Sequence, residues 1–290
     1  LATVTVAVAT WQIRHVQSIN EFFDHARELL DQAPNADLVV LPESIDLERM
    51  AYHGPLTQAQ VPLALAPEFE AVKAFFTQQA KERKQTIVAG THLAPIGDRI
   101  INTALIVSPD QVTIQPKNIL TQWESEEWQI HPGAGLAPLG DLGVLVCYDS
   151  EFPAAAQSLC ESGAKILIIP AYTETVRGFH RVRWSCHART VECQVFCIHA
   201  SLVGSLGREP VLTTYGSSAI LCPSVEPFPD SGILAESPLN QESMIVAELD
   251  LDLIATGRES DDVRNWHDRH KGDWALNPGL ILQPSLKKPV

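Results

Sequence analysis

GVLVCYDSEFP, residues Gly143 to Pro153, decides how this chain is read. The apolar run after Gly143 predicts a short buried strand over Gly143 to Cys147, because valine and leucine bounded by glycine favour extended, fully covered chain. Polar, turn-forming residues follow at once. Asp149, Ser150 and Pro153 open a helix over Pro153 to Ser162, with Asp149 or Ser150 as its N-cap and Gly163 at its end. Cys147 therefore stands at a sharp strand-to-helix turn. A nucleophile held there projects above a sheet edge, where the next peptide N–H, that of Tyr148, and the positive helix terminus can stabilise developing negative charge. The competing reading is a buried cysteine that packs as a small hydrophobe.

Two other segments end strands on ionisable groups. ADLVVLPES carries an apolar run to Pro42 and Glu43, and QPKNILTQWES places Lys117 and Glu124 after another strand. Glu43, Lys117 and Cys147 thus form a candidate glutamate, lysine and cysteine set. At these residues the sequence resembles the nitrilase superfamily of carbon-nitrogen hydrolases, on its amidase-like side. The resemblance runs from VTVAVATWQ through LVVLPE, KNILTQWE, HPGAG, CYDSEFP and SGAKILIIPAYTE to HARTVECQVFCIHASLVG and YGSSAILCPS. It covers nearly the whole chain. The family implies an α/β fold, a four-layer α-β-β-α sandwich, spanning residues 1–290 as one domain. It implies hydrolysis of a non-peptide carbon–nitrogen bond in a small amide or carbamoyl compound through a cysteine thioester, with nitrile hydrolysis or acyl transfer to an amine or thiol as alternatives. It also implies a homodimer or higher homo-oligomer.

The residue types suit that chemistry. A thiol is a poor nucleophile until it loses its proton, so a neighbouring base or positive charge must supply thiolate character. Glu43 is the candidate base, able to return the proton to the leaving nitrogen and then to activate water. Lys117 would stay protonated and, with the Tyr148 N–H, face the tetrahedral oxyanion. Glu124 is the candidate second carboxylate that orients Lys117. Glu126 and Glu127 compete for that role, but Glu124 has the spacing from Lys117 that matches the family motif. Arg189 and Glu192, three apart on one helical face, read as a supporting pair.

Specificity is less legible. The segment Ala171 to Phe179 follows a strand end and reads as a loop, so Tyr172, Thr173 and Glu174 are candidate pocket residues, as are Trp123 and Trp128. Tyr148 and Asp149 after the cysteine look like the amidase branches, whereas classical nitrilases tend to carry tryptophan and glutamate there. The chain departs from the pattern at Glu151, where several amidase branches place arginine, and at Ala154, where many members have glutamate.

Composition narrows the partners. A formal net charge of -14 and the lack of a basic run argue against nucleic acid, and mildly against an anionic substrate, although Arg177, Arg181, Arg183 and Arg189 lie close in sequence. Six cysteines without a CxxC pair fit neither a disulfide framework nor a zinc site, which points to a reducing, cytoplasmic setting. Cys186, Cys193, Cys197 and His199 match no common metal spacing, and His267, Asp268 and His270 read as a polar surface turn. No metal or cofactor is expected, since hydrolysis needs only water and these side chains. The apolar run Leu1 to Ala9 is too short to span a bilayer and alternates like a strand, so no membrane association is expected.

Elsewhere the pattern predicts strands at Val4–Ala9, Asp37–Leu41, Thr86–Gly90, Ala104–Val107, Lys165–Pro170, Val195–Ala200, Gly216–Leu221 and Ser243–Leu249. Helices are predicted at Ser18–Asp31, capped by Ser18 or Asn20, at Pro67–Lys84 and at Arg181–Cys193. The proline-containing stretch Cys222–Pro238 reads as an excursion from regular structure, serving as a lid or a dimer contact.

Overall fold

The computed structural model describes residues 3–137, 139–259 and 262–272. In chain order its elements are β1 (Thr3–Ile13), α1 (Ile19–Leu30), β2 (Leu38–Leu41), α2 (Gln60–Leu65), α3 (Phe69–Arg83), β3 (Thr86–Ile96), β4 (Arg99–Val107), β5 (Val112–Pro116) and α4 (Gln122–Glu126). There follow β6 (Leu142–Val144), α5 (Pro153–Glu161), β7 (Ile166–Tyr172), α6 (Val176–Cys193), β8 (Phe196–Gly204), β9 (Ala219–Leu221), β10 (Ile233–Glu236), β11 (Ser243–Asp250), α7 (Asp252–Arg258) and α8 (Asn265–Asp268).

Strand alternation builds the layers. In β1, β2 and β3 one set of side chains, Val6, Val8, Leu38, Val40 and Val88, packs with Val144, Ile166, Ile168 and Ile198 of the second half of the chain. Their neighbours Ala7, Ala9, Val39, Leu41 and Ile87 pack with Phe22 and Leu29 of α1 and Val72 and Phe76 of α3. A strand buried on both faces needs apolar residues at every position, which is what these segments supply. The expected four-layer sandwich results: α1 and α3, a first sheet, a second sheet, then α5 and α6.

The first sheet runs β11-β1-β2-β3-β4-β5, parallel from β1 to β3 and antiparallel elsewhere. The second runs β6-β7-β8-β9-β10, parallel from β6 to β8. The two are not separate. Thr3–Thr10 of β1 pairs with β11, whereas Trp11–Ile13 pairs with Leu202–Gly204 of β8.

Several boundaries differ from expectation. The strand predicted over Gly143–Cys147 is β6, which stops at Val144, and Cys147 instead begins a 3-10 turn over Cys147–Glu151. Neither Asp149 nor Ser150 caps α5. Its N-cap position is Phe152, with no side-chain cap, because both polar residues are used inside the turn. The segment read as a loop over Ala171–Phe179 is helical from Val176, where Thr175 accepts the N–H of Gly178 and starts α6 one turn and more before Arg181. A tight turn over Ala66–Glu68 precedes α3, so Pro67 lies outside that helix. Ser18 caps α1 as expected, accepting from Glu21 N–H. Ile233–Glu236, within the expected excursion, pairs with β9. His267 and His270 lie at or beyond α8 and contact Glu259 and Glu161 at 2.9 and 3.0 Å. Among the described residues, no helix is long and apolar enough to cross a membrane.

One irregularity shapes the floor beneath Glu43. The β3 register shifts between Val88 and Thr91, and Gly90 there has φ +72°. A Cβ at Gly90 would lie 2.2 Å from the Pro42 carbonyl oxygen, so only glycine lets β3 approach the chain next to Glu43 this closely. Gly90→Ala should therefore lower unfolding free energy by about 1 to 3 kcal/mol, measured by urea denaturation. An unchanged midpoint would show that Pro42 yields without strain.

Candidate active site

Four ionisable side chains meet, three of them just beyond the carboxyl ends of strands from both sheets and one in a helix. Glu43 follows β2, Lys117 follows β5, Glu124 lies in α4 and Cys147 follows β6. Their exposures are 2%, 2%, 4% and 6%, so each charge must find a partner inside the protein. Lys117 Nζ lies 2.8 Å from Glu43 Oε1 and 2.7 Å from Glu124 Oε2. Thus the sequence-predicted glutamates and lysine converge.

Asn102 of β4 completes this cluster. Its amide Nδ2 donates to Glu43 Oε1 and to Glu124 Oε1, both at 3.0 Å. An ionised carboxylate only accepts hydrogen bonds, so the amide nitrogen must face both acids. Glu124 is further fixed by the capping box of α4. Thr121 Oγ1 accepts the Glu124 N–H at 3.2 Å, while Glu124 Oε2 accepts the Thr121 N–H at 2.8 Å. The pattern Thr121-x-x-Glu124 is a sequence signal for such a box, and it separates Glu124 from Glu126 and Glu127 on physical grounds. Those two are exposed.

Cys147 has φ +46°, in the left-handed region that few residues other than glycine adopt. The turn around it is held from three sides. Ser150 Oγ donates to the Cys147 carbonyl at 2.6 Å, and Arg189 Nε donates to the Ser150 carbonyl at 3.1 Å. Asp149 accepts the N–H groups of Asn118 and Ile119 at 3.1 and 2.8 Å, tying the turn to the chain just after Lys117. Arg189 also pairs with Glu192, so this pair braces the cysteine turn from α6. The Cys147 thiol faces the Tyr172 carbonyl at 3.6 Å, and the Tyr172 N–H donates to Glu43 Oε2 at 2.9 Å. One residue of β7 therefore bridges Glu43 and the sulfur.

The electrostatics separate the two carboxylates. Burial and the nearby Glu124 charge push Glu43 upward, against the pull of Lys117. Burial also opposes the charge of Glu124, but Lys117, Asn102 and the Thr121 N–H outweigh it and hold that carboxyl below its usual range. Lys117 resists burial because both glutamates surround it, and it stays protonated. Burial and the Glu43 carboxylate push the Cys147 thiol well above the usual thiol range. These surroundings favour the thiol over the thiolate at rest.

A cavity of about 250 Å3 opens onto this cluster. Glu43, Lys117, Glu124 and Cys147 form its inner end, and Tyr148, Trp123 and Trp128 contribute aromatic wall. The candidate pocket residues Tyr172, Thr173 and Glu174 line it as well. Sequence reading did not foresee Asn102, the clamp made by Asp149, or the part taken by Glu151 and Arg181, which pair across the wall at 3.4 Å. The cysteines and histidine considered for metal spacing lie elsewhere: His199 accepts from Arg183 Nε at 3.1 Å, and Cys186, Cys193 and Cys197 belong to the core.

Comparison with known proteins gives one family. Residues 5–259 match the family model described as carbon-nitrogen hydrolase. The probable hydrolase YhcX of Bacillus subtilis (strain 168) is 28% identical over 92% of this chain, which spans 54% of that protein's length. The omega-amidase NIT3 of Saccharomyces cerevisiae is 26% identical, with 86% of each protein covered. The crystal structure of Saccharomyces cerevisiae Nit3, a member of branch 10 of the nitrilase superfamily, superposes with a TM-score of 0.72 at 25% identity, covering 90% of this chain and 95% of that one.

Removing the central cation tests the electrostatic account. Lys117→Met leaves two buried carboxylates together, so one must bind a proton on folding, and the variant should lose about 3 to 5 kcal/mol. A carboxyl with a raised folded pKa favours folding at pH below its unfolded value and loses that contribution as pH rises through the folded one. Lys117→Met should hence be more stable at pH 5 than at pH 8, measured by denaturant titration at each pH. A loss independent of pH would contradict the account.

Proposed function

Because the chain belongs to the carbon-nitrogen hydrolase family, we propose that it cleaves the carbon–nitrogen bond of a small amide or carbamoyl compound through a thioester on Cys147. The observation that carries this reading is the placement of Cys147 on a left-handed turn, opening into a cavity shared with Glu43 and Lys117.

The geometry supports each step of this reading. The Glu43 Oε2 oxygen accepts the Tyr172 N–H and retains a lone pair for the thiol proton. Since the thiol rests protonated, attack of Sγ on the substrate carbonyl carbon proceeds with transfer of that proton to Glu43. Lys117 spends two of its three N–H donors on Glu43 and Glu124, leaving one for the oxyanion. The Tyr148 N–H is the second donor. Collapse of the tetrahedral intermediate breaks the carbon–nitrogen bond, and Glu43 returns the proton to the departing amine or ammonia. Water then attacks the thioester carbonyl as Glu43 takes its proton, and the carboxylic acid leaves as that proton returns to sulfur.

In this reading the two glutamates divide the work. Glu43, with its carboxyl pushed upward, cycles between base and acid. Glu124, held ionised, keeps a fixed negative charge against Lys117 while Glu43 is neutral. Without it the protonated intermediate state would leave Lys117 as a buried, unpaired cation. Arg189 and Glu192 serve by holding the turn that aims the sulfur.

Cys147→Ala should lower turnover of every amide substrate by at least about 10⁴-fold, measured by ammonia release from a panel of primary amides. Intact-mass spectrometry of the unaltered protein, quenched during turnover, should show the acyl group on the peptide containing Cys147. Undiminished ammonia release by Cys147→Ala would rule the thioester route out.

A further inference from the structure

The cavity wall carries more negative charge than the reaction needs. Glu43, Glu124, Glu151 and Glu174 line it, against Lys117 and Arg181. Both cations are already engaged, Lys117 by the two inner glutamates and Arg181 by Glu151. Glu174 differs from the other acids. Its carboxylate accepts the Tyr172 hydroxyl at 2.9 Å, and among the described residues no ion pair is formed with it. Glu151 reinforces the sign, at the position where the sequence departs from the arginine of several amidase branches.

Resting on the amidase reading above, we infer that the substrate amide carries a cationic group, an ammonium or guanidinium, whose counter-ion is Glu174. The surroundings suit such a group. Tyr148, Tyr172 and Trp123 line the same cavity, and aromatic rings attract a cation that lies over their faces. A substrate carboxylate would meet the opposite conditions: among the described lining residues the one cation outside the inner cluster is Arg181, which already stands beside Glu151, and the Glu174 carboxylate lies on the same wall. The overall charge of -14 favours the same choice by drawing cations toward the protein. Glu174 is exposed, so water screens its pull, and the expected preference is moderate.

Three primary amides of nearly equal length test this: 5-aminopentanamide, hexanamide and the monoamide of adipic acid. The ammonium compound should show the highest kcat/KM, above hexanamide by about two- to fivefold, the size of one exposed charge pair. The carboxylate compound should be lowest. In Glu174→Gln, which can still accept the tyrosine hydroxyl, the ratio of ammonium to neutral compound should fall toward unity, and added salt should lower that ratio in the unaltered protein.

Equal or better use of hexanamide or the carboxylate compound would overturn the inference, and so would an unchanged ratio in Glu174→Gln. Alkylation of Cys147 by 2-bromoethylammonium, iodoacetamide and iodoacetate, each rate divided by that of N-acetylcysteine, reads the same charge preference without requiring turnover. The cationic reagent must lead in that series and lose its lead in Glu174→Gln, or the inference fails. Failure of the amidase reading looks different: ammonia release survives Cys147→Ala, whatever the order of the three amides.

Discussion

The Glu43–Lys117–Glu124 cluster is the constraint on which the site depends. Three charges removed from water cost far more than their contacts return unless nearly every donor and acceptor is matched. Here the matching is extensive. Lys117 contacts both acids, Asn102 donates to both, and backbone N–H groups of Thr121 and Tyr172 complete the carboxylates. Those partners come from β4, the start of α4 and the end of β7, so elements from both sheets must be in place before the cluster is satisfied. The arrangement specifies a geometry more than it stabilises a fold.

That dependence explains the unequal environments of the carboxylates. They share a lysine and an asparagine, yet Glu124 is held lower by Lys117, Asn102 and the capping-box N–H, while burial and the Glu124 charge push Glu43 higher. A single pair of acids thereby acquires two electrostatic characters without a metal-like charge between them. The left-handed backbone at Cys147 is a further cost, borne because Ser150, Asp149 and Arg189 hold the turn from different directions.

Much of this was legible in the amino-acid order. The chain before Glu43 and before Cys147 is a run of valine and leucine, β5 before Lys117 alternates apolar and polar residues, and their ends are marked by proline, glycine or charge, where polar side chains escape the core. The errors also have physical causes. Three ordered residues, Leu142–Val144, are enough for β6 because α5 and β7 cover it, so the apolar letters Leu145 and Val146 did not have to be strand. Asp149 looked like a helix cap because aspartate favours that position, but two backbone N–H groups beyond Lys117 compete for the same oxygens and win. Asn102 gave no sign at all. An asparagine inside an apolar strand becomes meaningful only when acids from distant segments are seen to share its amide.

The strand β1 has a mechanical consequence. Its first eight described residues belong to one sheet and its last three to the other, so a single unbroken backbone is dowelled through both halves of the sandwich. Trp11, at the crossing, is pinned by its indole N–H to the buried Glu48 at 2.6 Å. The sheets cannot part like a clam shell without shearing that peptide ladder. Admission of a guest molecule therefore falls to the rim, to α4 and the short approach to α6, while the frame behind sulfur and carboxylate moves as one piece.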